Sequence, residues 1–163
     1  MPARNLGHLC LLLLALFTYG TVAHADIPPE LKELERYIGN WKTTIEGQEV
    51  TATSKTAWIV QGQIVQQKEV YSDGAETLIM RGYDQAGKKY FLTLFDSRGV
   101  HWMMTGDFEA ATNTFHFEGR LGDTTVKVKS AFPDKDTEDW TITFIDSDSE
   151  VNELRGQNKR IEK

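Results

Sequence analysis

The chain has 163 residues, a length that suits one domain with a full hydrophobic core. Its 24 acidic residues outnumber 18 basic ones, a formal charge of −6. That balance argues against nucleic acid and against anionic membrane surfaces as partners. The single cysteine, Cys10, rules out a disulfide framework and any cluster or zinc site built from several thiolates.

Residues 1–25 read as a cleaved export signal. Arg4 supplies a basic start, Leu9 to Phe17 an apolar core, and Ala23-His24-Ala25 a small-x-small pattern before Asp26. The apolar run is shorter than the ~20 residues that span a bilayer, and no other stretch approaches that length. Cleavage would remove Arg4, Cys10 and no acid, so residues 26–163 would form a cysteine-free domain of charge −7. The expected location is outside the cytoplasm, in a periplasm or secreted, with no transmembrane segment after cleavage.

Ile27-Pro28-Pro29-Glu30 predicts a helix start, with proline in the first turn and an acid behind it. Leu31, Leu34 and Ile38 fall at helical spacing, so the helix should lie against something apolar until Gly39 stops it. From Trp41 onward the period is two. Strands are predicted at about 41–49, 53–60, 63–71, 77–84, 89–96, 100–108, 114–121, 124–132, 138–145 and 151–161. Turn signals separate most of them, among them Gln61-Gly62, Ser72-Asp73-Gly74, Ser97-Arg98-Gly99 and Pro133-Asp134-Lys135-Asp136. Late in the chain the alternation is clean: Trp140, Ile142 and Phe144 oppose Thr141 and Thr143, and Phe115 and Phe117 oppose His116 and Glu118. In 89–96 both faces are apolar, which predicts either a covered outer wall or a binding surface. The expectation is all-β: a single antiparallel barrel of eight to ten strands, with a short N-terminal helix closing one end.

Certain motifs carry a family resemblance. Gly39-Asn40-Trp41 follows the helix, as at the opening of lipocalin-like barrels. Arg81-Gly82-Tyr83-Asp84, Phe95-Asp96-Ser97-Arg98-Gly99, Gly106-Asp107-Phe108 and a last strand ending in Lys159-Arg160 come after it. In these the chain resembles the domain-of-unknown-function 1579 family of small bacterial proteins, roughly from Leu31 to Arg160. It departs from that pattern where Asn158 replaces a tyrosine two positions before the arginine. The resemblance implies a lipocalin-like barrel and no activity. By analogy it implies that Gly39, Trp41 and Arg160 close one barrel end, Arg160 (or Arg155 as runner-up) stacking on the indole.

Few residues suggest catalysis. There is no Gly-x-Ser-x-Gly, and the acidic runs Asp134–Asp139 and Asp146–Glu150 lack the glycine and distal glutamate of a calcium loop. No metal and no cofactor is expected. His116 alternates with phenylalanines and should face solvent. His101, beside Met103 and Met104, leaves a third reading open, as a haem ligand or as part of an enzyme with Asp96 or Asp107. Arg81 shares a strand face with Ile79 and Tyr83. Aimed inward it would need an anion, which a carboxylate ligand supplies. The leading expectation is therefore a barrel that binds a small, largely apolar molecule, with a carboxylate on it if Arg81 points inward. Its site residues would be Arg81, Tyr83, Tyr90, His101, Trp102, Met104, Phe115 and Phe144. The alternative is a filled barrel that acts as a protein–protein interaction module through its middle strands.

Overall fold

The computed structural model describes residues 28–60 and 62–161. The predicted export signal lies outside them, as do Ile27 and Gln61 of the signals named above. Period-two patterning from Gly39 onward yields ten strands: β1 (Gly39–Ile45), β2 (Thr51–Trp58), β3 (Ile64–Tyr71), β4 (Glu76–Asp84), β5 (Lys89–Asp96), β6 (His101–Glu109), β7 (Thr114–Leu121), β8 (Thr124–Asp134), β9 (Thr137–Ile145) and β10 (Val151–Arg160). Each strand pairs antiparallel with its chain neighbours, and β1 pairs with β10 to close a ten-stranded barrel. The fold is thus an all-β, lipocalin-like barrel.

Among the described residues only Pro29–Glu33 (α1) is α-helical, and Leu34–Tyr37 continues as a 3₁₀ turn. This tightening changes which residue enters the barrel. Three residues per turn put Leu31, Leu34 and Tyr37 on one buried line, whereas the α-spacing had pointed to Ile38. Tyr37 meets Phe132 edge-on at 5.0 Å between ring centroids and Phe115 at 5.4 Å. Phe115 also packs against Tyr90, Phe108 and Phe117. Under the helix, one end of the barrel is filled with aromatic rings.

The same end is locked by Arg160. Register places it directly across from Trp41 on β1. Its guanidinium carbon lies 4.1 Å from the Trp41 ring, while Arg155 pairs with Glu153 on the surface. Trp41 Nε1 donates to the Tyr37 carbonyl at 2.8 Å, tying the floor to the plug. Gly39 takes φ 137°, a conformation closed to most side chains, and a Cβ there would strike the Arg160 guanidinium.

One further departure from sequence expectation has a local cause. Strand β8 runs through Pro133 to Asp134, because a register shift between Ala131 and Asp134 lets the chain bulge where proline lacks a donor. Gly156 on β10 carries the Trp140 indole, and a Cβ there would strike two of its ring atoms. Gly156→Ala should therefore cost about 1–3 kcal/mol through overpacking, read as a lowered urea midpoint with unchanged m-value.

Candidate ligand-binding cavity

Above the aromatic plug the barrel is not filled. A cavity of about 120 Å³ lies between Tyr37 and Arg81 on the plug side and Ile45, Tyr71, Leu94, Trp102, Ile142 and Leu154 toward the opposite end. Its asymmetry follows from the inward residues of each strand. Beside the cavity β2 turns Ala52, Ser54 and Thr56 inward, with Trp58 on the same face packing against the core, and the three small side chains leave room for Gln67 and Glu69 of β3. β5 and β6 contribute Leu92, Leu94, Trp102 and Met104. One wall is polar and the other apolar, the arrangement expected of a small-molecule site.

The polar wall is a set of short hydrogen-bonded chains. Arg81 Nη1 donates to Gln67 Oε1 at 2.8 Å, and Gln67 Nε2 donates to Ser54 Oγ at 3.4 Å. The hydroxyls of Thr43 and Tyr71 donate to Glu69 at 2.7 and 3.0 Å. Glu138 accepts from Ser130 Oγ and from Asn158 Nδ2 at 2.8 Å, while Asn158 Oδ1 accepts from Trp140 Nε1 at 3.2 Å. Both carboxylates are thus met by donors within the chain.

Arg81 is not met in kind. It is 5 % exposed, its guanidinium carbon sits 4.0 Å from the Tyr37 ring centroid, and its Nε–H has no partner. Among the described residues no carboxylate oxygen lies within 4 Å of it. The Tyr37 hydroxyl and the Trp102 indole N–H also lack partners. Three residues that line one cavity therefore each carry a buried unmatched donor, beside carboxylates that already have donors of their own.

Burial shifts the acids. It raises the Tyr37 phenol, an effect that the Arg81 cation partly opposes, and it raises Tyr71 together with the neighbouring Glu69 charge. Glu69 is held above the ordinary glutamate range by burial, against the Thr43 and Tyr71 hydrogen bonds. Of the charges around it, Glu138 adds to the rise and Arg81 opposes it. A carboxyl raised on folding makes the folded state bind more protons than the unfolded one. Its stabilising contribution is complete below the unfolded value and is lost as pH climbs to the folded value. Glu69→Gln keeps the shape and should flatten this dependence, giving higher stability than wild type at neutral pH in urea titrations across pH 4–8. An unchanged pH profile would mean that Glu69 titrates normally.

The residues expected at the site divide. Arg81, Trp102 and Met104 line the cavity. Tyr90 and Phe115 do not: the 3₁₀ turn carries Tyr37 into that end, and the rings close on one another. Tyr90 also donates to the Glu30 carbonyl at 2.8 Å, and burial pushes its phenol up to about 12. Tyr83 packs edge-on against Tyr90, and Phe144 against Trp102, each outside the cavity lining. His101 is exposed on the outer wall, stacked on Phe95 at 4.5 Å, because β6 turns its odd-numbered residues outward. Asp96 accepts from Arg98, and Asp107 pairs with Lys89, so neither lines the cavity. Tyr37, Gln67, Glu69, Ser130, Glu138, Trp140 and Asn158 were not expected there. The signal for Tyr37 was its three-residue spacing from Leu31 and Leu34.

No protein-family model matches the sequence, and no curated protein matches it. Among solved structures, the chain is similar to the S-type phycobiliprotein lyase CPES from Guillardia theta, with TM-score 0.52 and 10% identity over 83% of this chain and 95% of that one. It also aligns with the structure of EF1p2_mFAP2b bound to DFHBI, with TM-score 0.40 and 10% identity over 81% and 99% of the two chains. At such identity the likeness to the lyase is one of fold.

Proposed function

We propose that this protein is an exported barrel that binds a small, largely apolar molecule bearing a carboxylate, with the acid group held at Arg81 and the apolar part against Leu92, Leu94 and Met104. The observation that carries this reading is the buried Arg81 guanidinium without an ion-pair partner among the described residues. An unpaired buried charge is costly, and a carboxylate can accept from a guanidinium through two parallel bonds. The volume limits the guest. About 120 Å³ is close to the 150 Å³ that holds benzene, so a short acid fits within and a longer tail would leave through the far end.

The test is calorimetric or NMR titration with hexanoate, using 1-hexanol as the uncharged control. Hexanoate should bind and hexanol should bind weakly or not at all. Arg81→Gln should weaken hexanoate by roughly tenfold or more, the scale of a charge-assisted hydrogen bond. Equal affinity of variant and wild type would remove Arg81 from the site. A second reading, a barrel that works through its outer wall, is favoured by Met103 (66 % exposed) and the exposed Phe95 on the middle strands. It leaves the three inward donors without a purpose.

A further inference from the structure

The geometry points to a second acceptor on the ligand, an oxo or hydroxyl oxygen read by the Trp102 indole N–H. On this view the guest is a short oxygenated acid rather than a plain alkyl carboxylate. The inference rests on the carboxylate reading above and specifies its substrate class.

Two tryptophans line the cavity, and they differ in one respect. Trp140 Nε1 has an acceptor inside the chain, Asn158 Oδ1. Trp102 Nε1 is buried and has none. Its ring is fixed edge-on against Phe144 at 5.7 Å, within the apolar wall that includes Leu94 and Ile142. An indole can only donate, so the missing partner must be an acceptor. Apolar neighbours offer none.

Register gives the spacing. Arg81 pairs with Leu92 on β5, and Trp102 pairs with Leu94 on the same strand. The two residues therefore stand one inward layer apart, about 7 Å along the strand direction, and two strands apart across the sheet, about 10 Å, with Trp102 farther from the plug. The long Arg81 side chain reaches inward across part of that gap, and an acid whose second oxygen lies four or five carbons from the carboxyl is the length chosen to bridge the rest. Between the two oxygens the ligand would lie against Leu92, Leu94 and Met104, so its middle should be apolar.

The test compares hexanoate with 5-oxohexanoate on wild type, Trp102→Phe and Arg81→Gln. Wild type should bind 5-oxohexanoate about five- to tenfold more tightly than hexanoate, the worth of one buried hydrogen bond. Trp102→Phe should erase that ratio, and Arg81→Gln should weaken both acids. As a readout that needs no substitution, the Trp102 indole ¹H–¹⁵N resonance should move downfield with 5-oxohexanoate and not with hexanoate. If both acids bind equally and the resonance stays, while Arg81→Gln still weakens them, the second acceptor is refuted and the carboxylate reading stands. If neither acid binds, or Arg81→Gln has no effect, both fall.

Discussion

Arg81→Met is expected to abolish carboxylate binding and, at the same time, to raise the stability of the ligand-free protein by about 1–2 kcal/mol. The two effects share one cause. Taking a guanidinium out of water costs several kcal/mol after relaxation, and without a carboxylate within 4 Å the chain recovers little of it. What it recovers is the Gln67 hydrogen bond, about 1 kcal/mol, the stack on Tyr37, about 0.5–2 kcal/mol, and a longer-range attraction to Glu69, whose carboxylate lies beyond 4 Å. Methionine fills comparable space with no charge to desolvate. Thermal unfolding should therefore shift upward by about 2–8 °C for a domain of this size, while hexanoate no longer changes it. The opposite result, a loss of more than 1 kcal/mol, would make Arg81 a structural strut and would weaken the case for a ligand anion.

Arg160→Ala should destabilise by about 2–4 kcal/mol. One guanidinium here joins three separate parts of the fold. It donates to the carbonyls of Arg36 and Ile38 at the end of the plug, to the Lys135 carbonyl and Asp136 carboxylate between β8 and β9, and it covers Trp41. Alanine would leave those carbonyls without their donor and open space above the indole. Arg160→Lys should recover only part of the loss, since one ammonium cannot span the fork that reaches both sides. Urea unfolding gives the magnitude, and hydrogen exchange at Leu34–Ile38 shows whether the plug loosens before the barrel. Full rescue by lysine would show that charge alone matters there.

The sequence disclosed the barrel because most of its strands are one-sided. Trp140, Ile142 and Phe144 alternate with threonines, and Gly39-Asn40-Trp41 marks where the helix gives way to β1. The shared face of Ile79 and Arg81 was also legible, and it is the face that lines the cavity. The polar wall was not. In β2 the residues Thr51 to Thr56 are polar or small on both sides, so alternation cannot say that Ser54 and Thr56 point inward. Glu69 and Glu138 read as ordinary surface acids until their donors are seen: Tyr71 lies two residues along the same strand as Glu69, while Thr43, Ser130 and Asn158 reach the two carboxylates from other strands. His101 misled for the opposite reason: its apolar neighbours suggested an interior, but in β6 the odd-numbered side chains form the outer wall.

The meander gives the closing strand pair a particular burden. Every ladder but one joins strands adjacent in the chain, while contacts between β1 and β10, such as Thr44 with Gln157, span 113 positions. Non-local pairing of this kind carries the largest loop-closure entropy and comes late in assembly. Until it forms, β1 and β10 each present a bare edge that could recruit another chain. Lys42 and Lys159 stand opposite each other at that seam, where like charges do little for the finished barrel. Their use lies earlier: a lysine on each waiting edge discourages two unfinished molecules from zipping together.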